Sequence, residues 1–120
     1  MKDSGWIPNT QSPIAAGIAP DAAILIWHVF QGVMVGKCEE WKNNRFFSHW
    51  KTVGTDWVSA KDRKPRREDA DVYSCVISRN EHGEVGIAGW HRFEREPALM
   101  YWQSPPEPPA DFRELRNKAF

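Results

Sequence analysis

Landmark residues recur in this chain at a nearly fixed interval. Trp6 and Trp57 are 51 positions apart, Gly32 and Gly83 are 51 apart, and Trp50 and Trp102 are 52 apart. Agreement within one residue describes an internal duplication. A duplication constrains the fold strongly, because whatever one half forms the other must form too. Each half opens with a Trp-led strand, Trp6-Ile7 or Trp57-Val58. Each closes on an apolar run into tryptophan, Phe46-Phe47-Ser48-His49-Trp50 or Leu99-Met100-Tyr101-Trp102. The first copy spans about 6–54 and the second about 57–104. A unit of about fifty residues is marginal alone. The expectation is therefore a single compact domain over 1–120, with both copies sharing one core.

The local pattern predicts a mostly β fold: two degenerate meander repeats of three to four antiparallel strands, with a short C-terminal helix. Ala22 to Phe30 is a continuous apolar run rich in β-branched and aromatic residues, which suits a buried strand. Gln31-Gly32 turns it into a hairpin whose return runs from Val33 to Trp41, and Arg45 to Trp50 is the third strand. In the second half the corresponding strands are Val72 to Ser78, Val85 to Phe93 and Ala98 to Trp102. Residues 8–20 form an uncharged loop broken by Pro8, Pro13, Gly17 and Pro20, and 59–71 form its charged counterpart. After the proline-rich exit, Asp111 caps a helix over about 110–119, with Phe112, Leu115 and Ala119 on one face.

Charge narrows the functional classes. Sixteen basic and sixteen acidic residues cancel, so the basic excess of a dedicated nucleic-acid binder is missing. No apolar run is long enough for a membrane helix. Met1 to Gly5 lead into Trp6 without the apolar segment of a secretory signal. Cys38 and Cys75 lack C-x-x-C spacing and read as reduced thiols, which places the protein in a cytoplasm. His28, His49, His82, His91 and the two cysteines show no zinc-ligand spacing, so neither a metal site nor a cofactor is expected.

The second half resembles a family of small phage and bacterial proteins, domain of unknown function 551. Its members typically open with W-[IV]-x-V-x-x-x-x-P and end in T-H-W-M-P-L-P-E-P-P. Here the opening is Trp57-Val58-Ser59-Ala60-Lys61-Asp62-Arg63-Lys64-Pro65. The closing is Met100-Tyr101-Trp102-Gln103-Ser104-Pro105-Pro106-Glu107-Pro108-Pro109. Residues 57–109 carry the resemblance, and 6–54 look like a decayed second copy that keeps Trp6-Ile7-Pro8 and Ser48-His49-Trp50. Tyr101 stands where the family has histidine. The resemblance implies a phage or prophage accessory protein in the host bacterial cytosol, and it carries no activity to transfer.

The candidate binding residues are Trp57, Arg63, Lys64, Arg66 and Arg67, with His49 and Tyr101 at the strand ends. A basic cluster beside an aromatic residue can hold an anion and stack a ring. Its bland counterpart is a charged loop balanced by Asp62, Glu68, Asp69 and Asp71. The leading expectation is a non-enzymatic protein that inhibits a bacterial host defence protein by binding it. The alternative is a sequestering protein for a small anionic ligand such as a nucleotide second messenger. A third is a small hydrolase using Glu68, Asp69 or Asp71 with a histidine; no phosphate-binding or nucleophile motif accompanies it. A homodimer is compatible with all three.

Overall fold

The structure is a computed structural model that describes residues 5–43 and 46–109. The helix expected over 110–119 lies outside the described residues. Among them the protein is mostly β, with two four-stranded antiparallel sheets and only short 3-10 turns besides. The described residues divide into two compact units: those from 5 to 53 with 106–109, and residues 54–105. No helix among the described residues is long and apolar enough to cross a membrane.

The first unit holds β1 (Ile7–Pro8), β2 (Ala23–His28), β3 (Gly32–Lys37) and β4 (Phe47–Thr52). Its sheet order is β1-β4-β2-β3. The second unit holds β5 (Val58–Ser59), β6 (Cys75–Asn80), β7 (Val85–Gly89) and β8 (Leu99–Gln103) in the equivalent order β5-β8-β6-β7. In a plain meander β4 would follow β3; here it pairs with the far side of β2. The reason is in β2 itself. Ile24 through His28 are all buried, and a strand covered on both faces belongs in the middle of a sheet. The returns are also shorter than the sequence suggests. Each ends early and folds into a 3-10 turn, Cys38–Asn43 or Trp90–Glu94, before the next strand. Val72 to Ser74 form a turn rather than the start of β6, with Val72 92% exposed.

Individual bonds repeat as well as strands. Trp50 Nε1 donates to the Gln11 carbonyl at 2.8 Å, and Trp102 Nε1 donates to the Arg63 carbonyl at 2.8 Å. The bulge between Trp27 and His28 recurs between Arg79 and Asn80. At the hairpin turn His28 Nδ1 accepts from the Phe30 and Gln31 amides at 3.1 and 3.2 Å. In the second unit Asn80 Oδ1 accepts from the His82 and Glu84 amides at 2.9 and 3.0 Å. Gly32 and Gly83 supply the left-handed turn residue, at φ 79° and 80°, where a Cβ would be strained.

The buried clusters follow the sheets. Ile24, Ile26, Cys38 and Trp50 pack together in the first unit, with Ile7, Ile18 and Phe47 against them. Val76, Ala88, Phe93 and Trp102 do so in the second, joined by Val58, Trp90 and Leu99. The proline-rich exit returns to the first unit, where the Glu107 carbonyl accepts from Trp6 Nε1 at 2.7 Å. Buried hydrogen-bonded indoles explain why tryptophan marks both copies: each fills core volume and satisfies a loop carbonyl.

Candidate functional site

The two units keep one row of side chains and change another. On one face, Ile7-Trp50-Ile26 across the first sheet corresponds to Val58-Trp102-Ser78 across the second. On the opposite face, Pro8-His49-Trp27-Val33 corresponds to Ser59-Tyr101-Arg79-Val85. In the first unit His49, Trp27 and Val33 are buried, and His49 Nδ1 lies 2.9 Å from Ser48 Oγ. In the second unit the whole row is half-buried. The exchange replaces an imidazole and an indole by a phenol and a guanidinium.

A pocket opens beside that row. β5 pairs with β8 only through Val58 and Ser59, and the Ala60 amide then donates to the Met100 carbonyl at 2.9 Å. Ser59 next starts a tight turn, with the Asp62 and Arg63 amides donating to its carbonyl at 3.0 Å. That turn lifts the loop from the edge of β8 and leaves a cavity of about 420 Å³. Lys61 and Lys64 on the loop and Glu94 on the turn before β8 supply its charges. Phe93, Leu99, Met100 and Tyr101 supply apolar and aromatic surface. Neither lysine forms an ion pair among the described residues. The Arg79 guanidinium sits over the Tyr101 ring, 5.7 Å from its centroid.

The loop that carries the lysines is held by its own charges. The Arg63 guanidinium grips both Asp69 oxygens, at 2.9 and 3.3 Å, and lies 4.6 Å from the Trp102 ring centroid. Asp69 also accepts from the Arg66 amide at 2.8 Å. The Arg63 hydrogen bonds, and then the Arg66 amide, hold the Asp69 carboxyl below its ordinary range against a smaller opposing effect of burial. Arg66 reaches Glu68 at 3.6 Å, but both side chains are well exposed, so that pair contributes little.

Of the residues singled out by sequence, Lys64 and Tyr101 line the pocket. Arg63 does not; it is a brace between loop and core. Arg66 and Arg67 are exposed on the far part of the loop, and Trp57 is half-buried outside the pocket lining. His49 belongs to the first unit and is buried. Two of the three carboxylates weighed for hydrolysis have structural occupations, and Glu68 is exposed. Asp69 is the Arg63 partner, and Asp71 Oδ1 accepts from the Tyr73 and Cys75 amides at 2.9 and 3.1 Å. Among the described residues no three His, Cys, Asp or Glu side chains cluster to hold a metal ion. Lys61, from the same basic stretch, joins Lys64 there, and Ser59, Phe93, Glu94 and Met100 are among the lining residues that had not been singled out. One signal for them was present: Trp6 to Pro13 is seven positions and Trp57 to Pro65 eight, so the second loop has one more residue before its buried proline.

The chain matches no known protein family, no curated protein and no solved structure.

Proposed function

We propose that the protein acts by binding, and that its site is the pocket between loop 59–64 and β8, which takes a small anion with an apolar body. The observation that carries this reading is the pairing of two lysines, with no carboxylate partner among the described residues, with an apolar and aromatic wall in one cavity. Small-molecule sites combine such walls with a few placed polar groups, in volumes of about 300–1,000 Å³. The resemblance to domain of unknown function 551 supports a phage or prophage setting in the host cytosol, where such a protein would sequester a host metabolite or signal. The test is native mass spectrometry of protein purified from bacterial cells, alongside a Lys61→Ala/Lys64→Ala variant. A small mass retained by the parent and absent from the variant is expected. An empty parent whose melting temperature responds to no small phosphate or carboxylate would refute the reading. At a hundredfold excess over Kd, a ligand stabilises by about 2.7 kcal/mol.

A second reading, inhibition of a host protein, is favoured by the turn before β6. Val72 and Tyr73 are 92% and 45% exposed. Asp71 fixes the turn through the two amide bonds above, and Ser74 holds a φ of 62°. A rigid turn that presents a bare valine suits insertion into an apolar cleft. Here Val72→Asp abolishes capture of the partner protein and leaves the melting temperature unchanged; undiminished capture would dismiss this surface.

A further inference from the structure

We infer that the pocket takes a flat, amino-bearing ring joined to a phosphate ester, the chemical class of a nucleoside monophosphate; this rests on the anion-binding reading above and adds the ring. Three features carry it.

The charges are lysines. The planar fork of arginine matches carboxylate and phosphate alike, while a lysine ammonium is a point charge that neutralises the spread oxygens of a phosphate without demanding one bidentate geometry. Lys61 and Lys64 both stand on the loop side of the cavity, and no arginine among the described residues lines it.

The aromatic wall is prepared. Tyr101 lines the pocket while Arg79, which does not, covers one ring face with its guanidinium at 5.7 Å. Arg79 and Tyr101 are cross-strand partners, so the cation fixes the ring from within the sheet. In this inference the opposite face is the stacking platform for a ligand ring. The first unit has Trp27 and His49 at these two positions, both buried. The platform is thus a property of the second copy alone.

The third feature is Glu94, the one carboxylate that lines the pocket among the described residues. Beside a dianion it would be repulsive, but it can accept a hydrogen bond from an exocyclic amine, as a carboxylate does from the amino group of cytosine. The ring therefore carries an amine at the end away from its phosphate. A volume of about 420 Å³ is at the small end of the ligand-site range and accommodates one such ring and one phosphate.

The test is isothermal titration of the full chain with adenosine 5′-monophosphate, adenosine and ribose 5-phosphate. The nucleotide should bind more tightly than either fragment. Tyr101→Leu, which keeps apolar bulk, should weaken the nucleotide by roughly 5- to 150-fold, the range for one stacked base, and leave ribose 5-phosphate unchanged. Arg79→Ala should lower nucleotide affinity in the same selective way, which a merely structural role would not do. Lys61→Ala/Lys64→Ala should weaken both phosphates and spare adenosine. Equal binding of nucleotide and ribose 5-phosphate, with Tyr101→Leu and Arg79→Ala both without effect, would overturn the ring while leaving the anion site standing. Failure of both phosphates to bind at millimolar concentration would overturn the two together.

Discussion

The duplicated indole bond offers a matched pair of perturbations. Trp50 and Trp102 are 1% and 2% exposed, and each donates to a loop carbonyl at 2.8 Å. Replacing either by phenylalanine removes the donor and leaves that carbonyl short of its partner, which costs about 1–3 kcal/mol. The smaller ring also forfeits three buried ring atoms, about 2 kcal/mol of transfer and packing. The expected loss is roughly 3–5 kcal/mol, against a total of about 5–15 for a domain of ordinary stability. Native-state hydrogen exchange with mass spectrometry resolves where the loss falls. Trp50→Phe should lower protection in β2 and β4 by roughly two to four powers of ten, and Trp102→Phe should do the same in β6 and β8. Trp102 carries the Arg63 guanidinium on its ring in addition, so loop 59–69 should gain exchange in that variant. A loss below tenfold in either variant, or in one copy only, would show that the shared bond is incidental.

Further outcomes follow from single contacts. Burial holds the His28 imidazole below its ordinary pKa of 6.5, and its ring is packed by Phe30, Phe46 and Phe47. The folded state therefore binds fewer protons than the unfolded state below that pH. Its contribution is complete above about 6.5 and is lost as pH falls through the acid side. Melting temperature should drop between pH 7.5 and 5.5, and His28→Asn, which copies Asn80, should flatten that slope; an unchanged slope would assign it elsewhere. Gly36→Ala would put a Cβ 3.0 Å from Ile26 Cδ1, an overpacking worth about 1–3 kcal/mol. Adding Ile26→Val removes the clashing methyl, so denaturant titration of the double variant should show less than the summed loss; strict additivity would contradict the contact. Cys38 is fully buried and burial raises its pKa. Thiol titration of native protein at neutral pH should label it only at the rate of unfolding; labelling as fast as in denaturant would contradict its burial.

The fold was legible where the sequence repeats and illegible where the chain changes direction. Tryptophan and glycine landmarks located both copies because Trp6, Trp50 and Trp102 each make an indole hydrogen bond and Gly32 and Gly83 each hold a positive φ, features that those residue types satisfy well. The order β1-β4-β2-β3 was hidden, since apolar content marks a strand as buried but does not say which neighbour lies on each side. The 3-10 turns Cys38–Asn43 and Trp90–Glu94 read as strand continuations because Trp41, Trp90 and Phe93 have the composition of a strand. Val72 and Tyr73 misled for the same reason, while the deciding residue was Asp71, whose carboxylate ties off the turn.

The candidate site was half legible, and the reason is a conflict between two uses of charge. Arg63, Lys64, Arg66 and Arg67 look alike in sequence as a basic cluster. Geometry separates them: Arg63 is consumed by Asp69 and Trp102, Arg66 faces Glu68, and Lys64 turns into a cavity with Lys61. A carboxylate six residues downstream decides which arginine is structural, and the 3-10 turn Arg67–Asp69 holds it in place through the Arg66 amide. Duplicated proteins expose such choices, because the copy supplies a control. Gln11 gives its carbonyl to Trp50 as Arg63 does to Trp102, with no charge involved. The backbone bond is thus the inherited part, and the Arg63–Asp69 brace is what the second copy has beside it. A loop braced in that way can project two lysines without collapsing onto them. Breaking the brace with Asp69→Asn should therefore weaken phosphate binding at the pocket while leaving the exchange protection of β6 and β8 intact. If affinity held while the loop loosened, the lysines would be organised by something other than this brace.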